Sequence, residues 1–556
     1  MKKSVIYVII IIFSFFLGNA MAAIVASQKY YVTYSGSGNR NGTSYANSWS
    51  WSDFLSSSNW SPYENVSKID PGDTIYLSGT FNITGTVNNI PGSGTSGNYI
   101  TIDGNDGVHT AATINPNGSA DGAFGSVSQS YLVFANLSFT GSAYAPLKIQ
   151  YGSYVDVHGC TLNGSYDRGI WYRYMSHGNV YNNTVTSTKT DAQNDGIKMI
   201  SSSYINIYRN TISDWSHAGI DCLNTKDDIP DGDTHDISIY NNYFDLPNRG
   251  YGRAFAAETW NAGRTYNIYI YRNYIKDMRT RSQIASVSYV YVYDNIFYNT
   301  QNCCESSSDT GCSEIAADPK CFADTYWKTG QHLSVETSYG NTSYIYIYNN
   351  TFYKSSEAAL AVSNAGGNVD NLHISNNIFN EGSILSDPGD DPPGSTNAWD
   401  KTIQAYVDKA KYSYSNISFT NNIVYTSGRS TDIYWGGTAY TVDGFNKAYA
   451  WASNNQQADP KFINPAKGNF ALQDTSPAID SGSTLQDTFA LKGSGSTLNS
   501  YNLAWDPNSL LPPNSVKTLD QDNLGNGWEI GAYIFSGNNG ETVVLGAPKG
   551  LMILIK

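Results

Sequence analysis

The chain has 556 residues, 40% hydrophobic and only 14% charged, with 50 glycines and 44 tyrosines. So few charges and so many turn formers argue against a helical bundle and for an all-β, exported type of surface. The formal net charge of −14 argues against a general nucleic-acid binder, and no nucleic-acid partner is expected.

The first element in chain order is a leader. Lys2 and Lys3 precede an apolar run from Val5 to Leu17, and Ala20-Met21-Ala22 is a small-x-small cleavage pattern. This predicts a secretory signal peptide over 1–22, cleaved after Ala22, and a secreted, cell-surface or periplasmic protein. The run is short for a span, which disfavours an uncleaved anchor. No later segment is long and apolar enough to cross a membrane, so no stable insertion is expected after cleavage.

Residues 23–97 are expected to hold an N-terminal cap and the first coils. A repeated phrase, apolar-x-apolar-x-x-Asn-x-apolar, then dominates residues 98–425. It reads "INIYRNTI" at 205–212, "ISIYNNYF" at 237–244, "IYIYRNYI" at 268–275 and "VYVYDNIF" at 290–297. Further copies place the asparagine at 183, 350, 377 and 422, while Leu137 and Cys160 stand there in two earlier copies. The asparagines at 183, 210, 242, 273, 295, 350, 377 and 422 are separated by 27, 32, 31, 22, 55, 27 and 45 residues. A base period in the twenties with insertions is a solenoid signature, because each unit is too small to bury a core alone.

Period-two alternation marks each phrase as a strand, and no helix-length pattern lies between copies. The expected fold is an all-β right-handed parallel β-helix with insertions near 300–340 and 383–412, followed by C-terminal coils and a cap over 426–556. The asparagine should sit at the bend between two sheets, where Asn tolerates the left-handed backbone region and its amide can bond the Asn of the next coil. Tyr181, Tyr208, Tyr240, Tyr271, Tyr293 and Tyr348, two places earlier, should form an outward column. This is a stabilising ladder in the first reading and a sugar-stacking platform in the second. Cys303, Cys304, Cys312 and Cys321 are expected to form two disulfides stapling a loop, since the spacing lacks the paired knuckles of a zinc site. Cys160 and Cys222 should be reduced and point into the core.

The chain resembles the secreted right-handed parallel β-helix proteins of the pectate-lyase-like superfamily. "YYVTYSGSGNRNGTSYANSWSWSDF" at 30–54 looks like that group's opening strand and capping helix, and "IDPGDTIYLSGTF" at 69–81 like its first coils. "ADPKFINPAKGNFALQDTSPAIDSG" at 458–482, followed by "EIGAYIF", looks like its C-terminal segment. The resemblance implies the fold; the group carries lyases, hydrolases, epimerases and binding proteins alike.

A second phrase recurs between the asparagines: "DRGIWYR", "NDGIKMI", "HAGIDCL" and "GRAFAAE". Aligned on Ile170, Ile197, Ile220 and Phe255, it puts Trp171, Lys198, Asp221 and Ala256 on the outward face, with Arg173 and Glu258 two places on. Rungs about 4.8 Å apart would then gather Asp195, Lys198, His217, Asp221, Arg253 and Glu258 into one patch. The next turns would add Asp227, Asp228, Trp260 and Arg264. Two chemistries suit it. In a lyase, a base takes the proton α to a uronate carboxylate, and Lys198 or Arg253 could serve if crowding by cations depresses its pKa. Asp195, Asp221, Asp227 and Asp228 would supply hard oxygens to Ca²⁺. In a hydrolase, two carboxylates such as Asp195 and Glu258 flank the bond. Asn194-Asp195-Gly196 resembles part of a polygalacturonase motif, but its double-Asp, Gly-His-Gly and Arg-x-Lys companions are not evident on the following coils. His217 completes the candidate catalytic set; Trp171, Arg173, Trp260 and Arg264 are the candidate substrate contacts. The expected function is a Ca²⁺-assisted polysaccharide lyase acting as a monomer, ahead of a glycoside hydrolase and of a non-catalytic glycan-binding solenoid.

Overall fold

The computed structural model describes residues 27–535 apart from 64, 66, 85–87, 119–122, 189–193, 225–231, 247–251, 260–262, 279, 301–330, 356–357, 364–365, 383–402, 407–413, 431, 436–437, 485–502, 506–517 and 522–524. The leader, Asp227, Asp228, Trp260 and the four clustered cysteines lie outside the described residues.

Three long sheets run the length of the molecule, with 15, 13 and 13 strands. Each coil gives one strand to each sheet in turn, for example Ser153–His158, Thr161–Tyr166 and Arg168–Arg173. Every pairing between successive coils is parallel; the last strand of the third sheet, Thr438–Tyr440, returns antiparallel. The chain is therefore a parallel β-helix, as the alternation and repeat require. The first sheet begins at Lys29–Val32 and ends at Ala452–Ser453, so the pairing includes coils before 98 and after 425. At the N-terminal end a short helix, Trp51–Phe54, is closed by a capping box in which Ser50 and Asp53 satisfy each other's backbone N–H groups. It drives Trp51 and Phe54 onto the first coil.

The lumen is filled by the alternate residues of all three sheets. Ile170, Ile197, Ile220 and Phe255 are fully buried there, as are Tyr172, Met199 and Cys222. Cys160 and Cys222 are both free and buried, and burial pushes the Cys160 thiol up to about 12.

The asparagines form one continuous ladder between the first and second sheets. Each amide nitrogen donates to the side-chain oxygen of the next asparagine at 3.0–3.1 Å, from Asn183 through Asn422. The same oxygen accepts the backbone N–H of the preceding rung, and the nitrogen reaches a carbonyl of the coil before. Cys160 N–H starts the ladder by donating to Asn183, and Asn455 ends it. The left-handed conformation belongs to a different residue than expected. It falls on the one before each ladder position (Asn182, Arg209, Asn241, Arg272, Asp294, Asn349, Asn376 and Asn421, φ between 52° and 56°). The ladder asparagine itself is free to turn its amide inward and bond along the axis.

The tyrosine column stacks face to face, with centroids 4.8–5.0 Å apart and planes within 8°. Each interior ring has both faces covered by its neighbours, so the column offers a sugar only edges and serves as a stabilising ladder. It is also not wholly outward in the sense of being wet. Tyr271, Tyr293 and Tyr348 are buried in a cluster with Trp528 of the C-terminal segment.

Candidate functional site

The outward side of the third sheet carries the charged patch. Parallel pairing aligns Arg168, Asp195, Ala218 and Arg253 in one row and Trp171, Lys198, Asp221 and Ala256 in the next. A third row contains Arg173, Ile200, Leu223 and Glu258. Residues 23 to 35 positions apart in sequence thus become neighbours one rung apart.

The centre of the patch is a closed network. Lys198 Nζ lies 2.7 Å from Asp195 Oδ2 and 2.6 Å from Asp221 Oδ2. Asp195 Oδ1 is 2.7 Å from His217 Nδ1. Asp195 and Asp221 are only 1% exposed and Lys198 5%, whereas the His217 side chain is 22% exposed. Burial acts to push the Lys198 ammonium down, but the charges of Asp195 and Asp221 outweigh it and hold the group above its ordinary range. Burial likewise acts to raise Asp195 and is outweighed by Lys198 and His217, leaving that carboxyl well below the usual range. Two carboxylates share one ammonium, so Asp221 is left above its ordinary value by burial, which Lys198 only partly offsets. The expectation that cations crowd Lys198 and free it as a base is therefore overturned: carboxylates surround it, and it is a fixed positive charge.

Beside this centre, Trp171 is buried against Ala145 and Ile200. Lys148 lies 4.7 Å from its ring centroid, and Arg168 and Arg173 each 5.5 Å. Trp171 thus organises three cations rather than presenting an open face to a sugar. Arg253 and Glu258 pair with each other at 2.9 Å, both buried, at the two ends of strand Arg253–Thr259. They adjoin a second buried network in which Arg281 pairs with Glu336, and Gln283 donates to the same carboxylate at 3.1 Å. Arg264 stands apart, exposed on a turn and paired with Asp233 at 2.7 Å.

Lys148, Arg281, Gln283 and Glu336 were not among the sequence candidates. Gln283 and Glu336 continue the rows of Asp221 and Glu258 by one and two further coils. Extending the alignment would have found Gln283, but the gap that holds the cysteine-rich segment hides Glu336.

Asp195, His217 and Asp221 offer donor atoms all within 4.8 Å of one another. The set does not suit Ca²⁺, which takes six to eight oxygens. Lys198 and His217 already hold both oxygens of Asp195, and Lys198 holds one of Asp221. Asp221 Oδ1 alone is buried without a partner among the described residues. An ammonium stands where the ion would have to sit.

Residues 73–244 match the family described as the right handed beta helix region, and residues 345–482 match a domain of unknown function, DUF5123. The chain is a right-handed parallel β-helix, as the resemblance implied. No curated protein matches it. Among solved structures, pectate lyase Pel9A is 14% identical, with 92% of this chain and 98% of that one covered and a TM-score of 0.42. The mannuronan C-5 epimerase AlgE4 A-module of Azotobacter vinelandii is 11% identical over 70% of this chain and 91% of that one, with a TM-score of 0.39. A GH136 lacto-N-biosidase from Eubacterium ramulus is 12% identical over 70% and 67%, with a TM-score of 0.32. These likenesses assign no residue and no reaction to this chain.

Proposed function

We propose that the protein is an exported carbohydrate-active enzyme that cleaves an acidic, uronate-containing polysaccharide by β-elimination, with His217 as the proton acceptor. One observation carries this reading: in the Asp195–Lys198–His217–Asp221 network, His217 is the member that reaches solvent. Its Nδ1 is engaged by a buried carboxylate, which leaves Nε2 as the ring atom available to a substrate. A buried carboxylate that orients an imidazole on one nitrogen prepares the other for proton transfer. Lys198 and Asp221 do not touch the substrate in this reading; they hold Asp195 in place and ionised.

The step balances within the substrate. The C5 proton of a uronate passes to His217 Nε2, and its electron pair forms the C4–C5 double bond. The C4–O bond breaks, and the leaving oxygen takes a proton from water or from the imidazolium. Arg168 and Arg173, in rows flanking Lys198, are the groups that would pair with the uronate carboxylate and make the α proton more acidic. No step is routed through a metal ion, because Lys198 and His217 already engage three of the four oxygens of Asp195 and Asp221.

The test is incubation with polygalacturonate, alginate and glucuronan, read by near-ultraviolet absorbance of unsaturated products and by reducing ends. Absorbing products that vanish in His217→Gln support the reading. New reducing ends without absorbance would instead support a hydrolase. No product from any polymer would leave a non-catalytic glycan-binding solenoid.

A further inference from the structure

A cavity lies away from the charged patch, on a different sheet and on later coils. About 710 Å³ opens between the outer face of the second sheet and the C-terminal segment around Phe462, within the size range of small-molecule sites. Its floor is one row of side chains in register on four successive coils: Tyr298, Tyr353, Asn380 and Tyr425. At one rung per about 4.8 Å, the row is about as long as a short oligosaccharide.

This row differs from the closed tyrosine ladder of the first sheet. Tyr298 and Tyr353 are 6.1 Å apart and tilted by 34°. Phe470 meets Tyr298 at 5.5 Å and Tyr353 at 5.3 Å, prying the two rings out of parallel stacking. Tyr298, Tyr353 and Tyr425 are each half-buried and line the cavity, whereas Tyr271, Tyr293 and Tyr348 of the closed ladder are buried.

The charges of the wall point to the ligand. Lys354 and Lys461 balance Glu381 and Asp459, so the cleft has no net pull on an acidic chain. Among the described residues none of these four is in an ion pair. Glu381 accepts the backbone N–H of Ser427 through Oε1, and Asp459 accepts that of Lys461 through Oδ1. Each carboxylate keeps its other oxygen for a ligand. Aromatic rings on the floor, with separate carboxylates and ammoniums around them, match the alternating apolar faces and hydroxyl edges of pyranose rings. We infer that this cleft is a binding site for a neutral oligosaccharide segment, separate from the charged face and independent of the reaction proposed for it.

Calorimetric titration of the full chain with cellohexaose, xylohexaose, mannohexaose and trigalacturonate tests the inference. At least one neutral hexaose should bind, and Tyr425→Ala should weaken it by about tenfold. Lys354→Ala, at an exposed position that does not threaten folding, should weaken it by about tenfold as well. His217→Gln should leave the affinity unchanged. Failure of all three neutral hexaoses to bind, preference for trigalacturonate, or an affinity indifferent to Lys354→Ala would overturn it.

Discussion

Replacing Asn242 with Ala tests the ladder at a point where every bond is known. The side chain is fully buried. Its Nδ2 donates to Ile207 O at 2.9 Å and to Asn273 Oδ1 at 3.1 Å. Its Oδ1 accepts Asn210 N and Asn210 Nδ2, each at 3.0 Å. Asn273 Oδ1 keeps the Asn242 backbone N–H after truncation, so the orphans are Ile207 C=O, the Asn210 backbone N–H and one Asn210 amide hydrogen. A buried group stripped of its partner costs about 1–3 kcal/mol. Because the ends of the gap can relax, the expected total is about 2–4 kcal/mol. Asn242→Asp should cost more, since it keeps the acceptor but sets a buried negative charge against Ile207 O and Asn273 Oδ1. Urea unfolding followed by circular dichroism measures both. Coils contact mainly their neighbours, so the loss should also broaden or split the transition. An Asn242→Ala variant within about 0.5 kcal/mol of the wild type, the range of an ordinary surface substitution, would refute the ladder as a source of stability.

Other consequences are equally direct. His217→Gln should lower turnover by about 10²–10⁴-fold on whichever uronate polymer is cleaved, while the unfolding midpoint stays near that of the wild type. Lys198→Met removes the one ammonium that two buried carboxylates share and should destabilise by about 3–5 kcal/mol; a chelator should leave wild-type activity unchanged, since the ammonium already lies between the two carboxylates. The sign of the pH dependence follows from the two shifts. Asp195 is depressed in the folded state, so its contribution is present above the unfolded carboxylate value and is lost as pH falls through the folded one. Lys198 is raised, so its contribution is complete below the unfolded lysine value and is lost on strong alkalinisation. Glu529, which burial pushes up to about 7, works the other way: it is an acid kept neutral, so folding stability should fall as pH rises from the ordinary glutamate range through 7. Hydrogen-exchange protection around Trp528, measured relative to the intrinsic rate at each pH, should fall over that interval in the wild type and much less in Glu529→Gln.

The sequence by itself determined the coil. Alternating apolar residues and a bend residue are local signals, and a repeat reports its own register, so the rows of Ile170, Trp171 and Arg173 with their partners could be aligned before any coordinate was known. Asn455 was missed because its copy leads with the small residues Ala450 and Ala452 and has Gln457 where the closing apolar residue belongs; the paired asparagines were the remaining signal. Tertiary structure alone decided what covers an outward face and what charge each group carries. Tyr271, Tyr293 and Tyr348 point away from the lumen by the same alternation as Tyr181, yet they are sealed in one cluster with Trp528, which is more than 170 residues away in sequence. Lys198 could be read as a base from a list of neighbouring types, but its protonation depends on two oxygens within 2.7 Å and on the exclusion of water around them. Alternation gives the side from which a residue projects; distance and burial, which set Coulomb energy against desolvation, exist only once the coils are stacked.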